Sequence, residues 1–410
     1  MAVLVDIAPL RHSRAFARLW GSGLAVSVTA QMVQVALSWG LYENTGSSLA
    51  VGTLGLAIGI PTLVFSLLGG VLTDVRRPRQ IATVGVLAQG AVTVGFLVCA
   101  AAGVLVPWAV YVLAAAQALA GAVTAPTRRP YLRALLTPAL IPAASVLYLM
   151  SMHAGQIAGP LIGGLLVSSH ALVAVFALHL IMLCFYLISV RSLPDLPPAS
   201  AAALGVRAAL DGIRTAARLP AVRGALVLDL AMTFLGLPMA LLPAYNVEVL
   251  HGDASDYGLL VTLVSVGGVA ATVLSGRVSS SRRPGRLLVL FTFAWTCCVL
   301  LLGLTSVLLV AGLALVLMGA FDVFCLACQQ TIVQLDTPDP YLGRIGSLQN
   351  LVGMGGPQLG NFRAGLFGAW WGPAPAILIG ALTTATVVTV IAGTHRSLAA
   401  FRVPEKSTDR

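Results

Sequence analysis

Charge is scarce in this chain. Only 9% of its 410 residues are Asp, Glu, Lys or Arg, whereas soluble domains carry about a quarter. Lysine occurs once, at Lys406, beside 23 arginines. So few charged groups cannot cover a water-facing surface, and 58% of the residues are hydrophobic, with a mean hydropathy of +0.94. A soluble globular domain is therefore excluded, and the chain is expected to be solvated by lipid. Other absences narrow the field further. No Walker-type phosphate loop is present, so ATP is not the expected energy source. No carboxylate or histidine cluster suggests a hydrolytic centre. The six cysteines all fall inside apolar stretches. Cys325 and Cys328 form a CxxC, but no second pair or histidine accompanies it, so they read as apolar filler and neither metal nor other cofactor is expected. The basic start (Arg11, Arg14, Arg18) runs into an apolar stretch long enough to span, without a small-residue cleavage site, and reads as a retained first span.

A bilayer core takes about 20 apolar residues per helix. On that ruler twelve spans are predicted: 19–42, 50–73, 80–102, 106–126, 141–168, 170–191, 223–247, 256–279, 286–306, 308–329, 343–367 and 373–394. Most connections are short. The exception, 192–222, opens with "LPDLPPAS" and continues with Arg207, Asp211, Arg214 and Arg218 on one helical face, as in a surface helix linking two bundles.

Of the 24 cationic residues, 23 fall at the termini, in the turns after spans 2, 4, 6, 8 and 10, or at the span ends beside them; only Arg363 does not. The turns after odd spans hold Glu43, Glu248, Asp253 and Asp256 instead. Cations concentrate on the cytoplasmic side, so both termini are expected there. The net charge of +10 thus reflects topology, and nucleic acid is not an expected partner. The preference for Arg over Lys hints at a GC-rich bacterial genome, hence a bacterial inner membrane.

The chain also repeats itself. Gly70, Arg76, Arg77 and Pro78 recur as Gly276, Arg282, Arg283 and Pro284, always 206 residues later, and Gly52 and Gly258 share that offset. Gly159–Pro160 is echoed by Gly356–Pro357. Two six-span halves are predicted, 1–191 and 223–410, joined by 192–222. Such repeats place a substrate site between the halves near the midplane.

The spans carry polar stripes. Ser27, Gln31, Gln34, Ser38 and Tyr42 share one face of span 1, which should line a cavity or a helix seam, because a lipid-facing Gln is costly. Span 4 offers Gln117, span 7 offers Asp229 and Thr233, and span 10 offers Asp322 and Gln329. Asp322 lies in mid-span, where an acid is expensive unless it protonates or pairs. It is the first candidate for proton coupling and Asp229 the second, although Asp229 could equally pair with Arg223. Arg363 has two readings, an ion pair with an acid such as Glu248 or a contact for an anionic substrate. His153 and His179 read as satisfied seam residues.

These features together resemble the major facilitator superfamily, and within it bacterial drug and siderophore exporters of the enterobactin-exporter type. The resemblance is carried by "RLWGSG", "ALSWGLYENTGSSLAVG", "GGVLTDVRRPR", "GQIAGPLIGG" and "GNFRAG", and covers nearly the whole chain. It implies an all-α fold of twelve membrane helices in two pseudo-symmetric halves, working as a monomer by alternating access. It implies that spans 1, 4, 7 and 10 line the cavity. In the loop Gly70, Asp74, Arg76, Arg77 and Arg79, the Asp would latch the halves in one state. In the antiporter-type element Gly155, Gly159, Pro160, Gly163 and Gly164, small residues and a proline would shape the rocking seam. This chain departs from the pattern at Val75, where an Arg usually follows the Asp, and at Ala30, where relatives often carry an acid.

The expected function is proton-coupled efflux of a small amphipathic molecule: a drug, siderophore or natural product. An importer or facilitator of the same fold is the alternative. A membrane-embedded enzyme acting on a lipid-linked substrate is a more distant one.

Overall fold

The computed structural model describes residues 6–197, 214–279, 281–394, 397–398 and 401, and the side chains of 66–75 lie outside that description. The described residues are helical almost throughout, and twelve long helices realise the predicted spans: α1 Arg14–Thr45, α2 Ser48–Val75, α3 Pro78–Ala101, α4 Pro107–Thr124, α5 Ile141–Ser168, α6 Leu172–Arg191, α7 from Pro220 to Glu248, α8 Ala254–Ser279, α9 Pro284–Leu304, α10 Leu308–Asp336, α11 Asp339–Trp371 and α12 Pro373–Thr394. Their ends follow from local chemistry. Prolines open α3, α4, α7, α9 and α12, where a missing N–H costs nothing. Gly46 (φ +60°) closes α1 in the left-handed region, its N–H bonding the Tyr42 carbonyl at 2.7 Å.

Among the described residues, eleven helices are long and apolar enough to cross a membrane. The exception is α11, which carries Arg344, Gln349, Asn350, Gln358, Asn361 and Arg363 among its glycines. Only 22% of the apolar stretch of α3 is buried within the protein, so lipid must solvate the rest.

One helix departs from the sequence expectation. Span 7 reads as continuous from 223 to 247, yet α7 is α-helical over Pro220–Leu230, π-helical over Ala231–Gly236, extended at Leu237, and resumes through Met239–Leu241 into Leu242–Glu248. Pro238 explains the break: it lacks an N–H and disfavours helical geometry in the residue before it. Of the predicted linker helix, Arg207 and Asp211 lie outside the described residues, whereas 214–218 are helical.

The chain divides into two compact units: Met1–Gly46, Leu56–Ala203 and Gly252–Thr262, then Ser47–Gly55, Leu204–His251 and Leu263–Arg410. In the first, α1 packs along α5 and α6, and α3 against α4 and α6. The Gly-Pro element makes the α1–α5 seam. A Cβ at Gly159 would stand 2.6 Å from the Val28 carbonyl oxygen, so only glycine fits. The start of α8 belongs to this unit. Its Gly258 meets Gly164 of α5 so closely that a Cβ on Gly164 would lie 2.9 Å from the Gly258 Cα. Thr262 also donates to the Ile157 carbonyl at 3.1 Å.

The second unit has the matching arrangement. The start of α2 lies on α11, and a Cβ on Gly365 would fall 2.9 Å from the Gly52 Cα. Within it α9 packs on α10 and α12, and α11 crosses the π-helical turn of α7.

Candidate functional site

The second unit encloses a cavity of about 470 Å³. Helical periodicity builds its walls. Ala225, Asp229, Met232 and Thr233 share a face of α7; Asp322, Cys325, Leu326, Gln329 and Gln330 share a face of α10; Gly346, Gln349, Asn350, Gly353, Met354 and Pro357 share a face of α11. Leu288 of α9 closes the floor. Gln329 is buried and donates from Nε2 to Asp229 Oδ2 at 3.1 Å. The Thr233 hydroxyl donates to the Asp229 carbonyl at 2.8 Å. This backbone contact lies where the helix passes into the π-helical turn, a geometry common at functional sites. Asp322, two turns before Gln329, is exposed into the cavity despite its mid-helix position. It has no hydrogen-bond or ion-pair partner among the described residues, and it lines the same cavity as Asp229.

Four sequence candidates therefore meet here: Asp229, Thr233, Asp322 and Gln329. Arg363 does not join them. Its guanidinium lies over the Phe367 ring, 5.3 Å from the centroid, beside Gly380. It makes no ion pair among the described residues, and its buried Nε lacks a hydrogen-bond partner there. Gln330, Gln349 and Asn350 are lining groups that the sequence reading missed. The same three- and four-residue spacing that marked span 1 runs along span 11, and its weak hydropathy was a second signal.

The candidates of the first unit are dispersed. Ser27 and Gln31 sit where Gly155 and Gly159 approach α1. Gln34 is exposed, and buried Ser38 hydrogen-bonds Tyr257, whose ring stacks on Trp39 at 5.9 Å. Gln117 contacts His179 Nε2 at 3.3 Å, and His179 Nδ1 meets the Thr29 hydroxyl at 2.8 Å, so one buried ring joins α1, α4 and α6. Arg128, unremarked in the sequence, donates to Tyr186 Oη at 3.2 Å and Tyr148 Oη at 2.8 Å and lies over both rings.

In the turn after α2, Arg76 is exposed, Arg77 forms an ion pair with Asp195, and Arg79 donates to the Leu193 carbonyl at 3.2 Å. Its arginines thus hold the segment after α6. The Asp74 side chain and the surroundings of Gly70 lie outside what the structure describes.

A family model described as transmembrane secretion effector matches residues 5–408. The chain belongs to this family of major facilitator superfamily transporters. It is 24% identical over 410 residues to the enterobactin exporter EntS of Citrobacter koseri, covering 99% of this chain and 98% of that one. It is 25% identical over 374 residues to EntS of Escherichia coli O81, covering 90% and 89%. The fold matches that of the nucleoside transporter NupG, with a TM-score of 0.77 at 11% identity over 95% of this chain and all of that one. It also matches a bacterial homologue of the iron transporter ferroportin in the inward-facing state, with a TM-score of 0.71 at 17% identity over 94% and 99%. This family member is accordingly a multi-pass membrane transporter of a small molecule, not an enzyme. The all-α, twelve-helix, two-half architecture read from the sequence is the one observed.

Proposed function

We propose that the chain is a proton-coupled exporter of small amphipathic molecules in a bacterial inner membrane, working as a monomer by alternating access with both termini in the cytoplasm. One observation carries the coupling: an unpartnered carboxyl group, Asp322, opens into a cavity in the middle of a membrane helix. An acid placed there is costly unless it is used. Proton loading and unloading at Asp322, with Asp229 held by Gln329 beside it, gives that cavity two charge states. A site able to hold either a proton or a substrate group can exchange one for the other across the membrane.

Export is supported by the Gly-Pro element along the α1–α5 seam and by the exporters among the relatives. The arginine distribution supports the cytoplasmic placement of the termini. The paired glycine crossings, Gly164 on Gly258 and Gly52 on Gly365, supply tight contacts that a rocking cycle would make and break.

Everted vesicles test the proposal. A panel of fluorescent amphipathic dyes should accumulate inside when respiration energises the membrane and leak back when a protonophore collapses the gradient. Accumulation indifferent to the protonophore would overturn the coupling. Uptake that runs only in right-side-out vesicles would overturn export in favour of the importer.

A further inference from the structure

We infer that the cavity walled by α7, α10 and α11 selects organic cations, that is, amphipathic molecules bearing a protonated or quaternary nitrogen. This rests on reading that cavity as the substrate site. Among the described residues its walls carry two carboxylates, Asp229 and Asp322, and four amides, Gln329, Gln330, Gln349 and Asn350, but no Lys, Arg or His. The cations nearest in sequence lie elsewhere. Arg223 donates to the Ala217 carbonyl, Arg344 lies over the Tyr341 ring, Arg363 lies over Phe367, and Arg286 is exposed at the start of α9. None of them lines the cavity.

Two carboxylates lining one cavity, with no cation among its described lining residues, are relieved by a positive charge from outside the protein. Asp229 spends one oxygen on Gln329, which leaves its second oxygen and both of Asp322 for that charge. The amides can accept or donate at the rim of a polar head group. Met232, Leu288, Leu326 and Met354 offer adaptable apolar surface to the body of the molecule. No aromatic ring is among the lining residues, so recognition is by charge rather than by a cation–π cage. The volume of about 470 Å³ falls in the range of small-molecule sites. An anionic ligand would have to bring its charge beside both acids.

Equilibrium binding to the purified full-length protein tests this with two probes of the same shape and opposite charge, tetraphenylphosphonium and tetraphenylborate. The phosphonium should bind at least about tenfold more tightly than the borate. Asp322→Asn and Asp229→Asn should each weaken phosphonium binding and, by removing a like charge from the wall, tighten any binding of the borate. Gln330→Glu, which adds a charge to the wall without removing a partner, should tighten the phosphonium. Borate binding equal to or tighter than phosphonium binding overturns the inference, as does phosphonium affinity untouched by all three variants.

A transport arm separates this from the underlying reading. Suppose everted vesicles carry only neutral or anionic dyes and Gly353→Leu, which fills the cavity wall, blocks them. The charge selectivity then fails and the substrate site stands. If Gly353→Leu leaves transport of every carried dye intact, the cavity reading itself fails.

Discussion

His179 and Asp322 are both ionisable side chains in the interior of membrane helices, and the molecule treats them in opposite ways. His179 is buried, with one ring nitrogen on Thr29 and the other on Gln117, so its polar atoms are satisfied within the first unit. Asp322 has no partner among the described residues and faces an open cavity in the second unit. A polar group whose partners are complete rigidifies a bundle, because breaking it leaves unpaired atoms in a medium that cannot solvate them. A polar group left open in the same medium persists only if something passing through uses it. The first unit closes His179 into a helix seam; the second leaves Asp322 open to a ligand.

The largest expected effect comes from breaking the open side. Asp322→Asn should lower coupled transport by about tenfold or more, a coupling loss of at least ~1.4 kcal/mol, while the melting temperature and yield of the protein stay at wild-type values. Dye efflux and thermal denaturation on the same preparation check it.

His179→Ala should do the reverse. Loss of the ring leaves the Gln117 amide nitrogen without its partner and empties a buried site, while the Thr29 hydroxyl keeps its bonds to the Ala25 and Val26 carbonyls. This should destabilise the protein by about 1–2 kcal/mol, seen as a lower melting temperature, whereas transport per folded molecule changes little.

A pair of glycine substitutions sharpens the contrast. Gly159→Ala drives a methyl group into the Val28 carbonyl. The seam must spread, at a cost of about 1–3 kcal/mol that exceeds any gain in helix propensity. Gly353→Ala meets nothing within 4 Å, although it faces the cavity. It should leave stability unchanged or raise it by up to ~1 kcal/mol. Melting curves measured side by side should fall for Gly159→Ala and hold or rise for Gly353→Ala.

The helix cap at the start of α8 gives a smaller, pH-dependent effect. Asp253 accepts from the N–H groups of Ser255 (2.8 Å) and Asp256 (3.1 Å) and from the Ser255 hydroxyl (2.6 Å), and these bonds hold its carboxyl below the ordinary carboxylate range. Its contribution is therefore fully present above the unfolded value of about 3.9 and is lost as pH falls through the lower folded value. Asp253→Ala should cost about 1 kcal/mol at neutral pH, and melting curves at decreasing pH should show that difference shrinking below about pH 4. Smallest of all, Arg77→Ala removes an exposed ion pair with Asp195 and should change stability by less than ~1 kcal/mol.

Much of this contrast was legible in the sequence, for physical reasons that differ from place to place. Length and hydropathy fixed the spans because a bilayer sets a ruler. The Gly159–Pro160 echo at Gly356–Pro357 revealed the duplication. Asp322 stood out because a mid-span acid needs a purpose. Other features were less accessible. The break in α7 was announced by Gly236 and Pro238, but a continuous apolar run masked it. Gln349 and Asn350 followed the same periodicity as the span-1 stripe and were hidden by the glycines around them. No pattern along the chain could show that span 1 spends Ser27 and Gln31 on a tight seam, or that His179 would find Thr29 and Gln117, because those contacts join helices far apart in sequence. The pairing of Arg77 with Asp195 was invisible for the same reason.

Asp322 is the group proposed to exchange a proton. Proteoliposomes loaded with a pH-sensitive dye measure this: a substrate gradient is imposed and the opposing proton flux is recorded for the wild type and for Asp322→Asn. The account predicts proton movement opposite to substrate in the wild type and none in the variant. Equal proton movement per substrate carried by both proteins would contradict it.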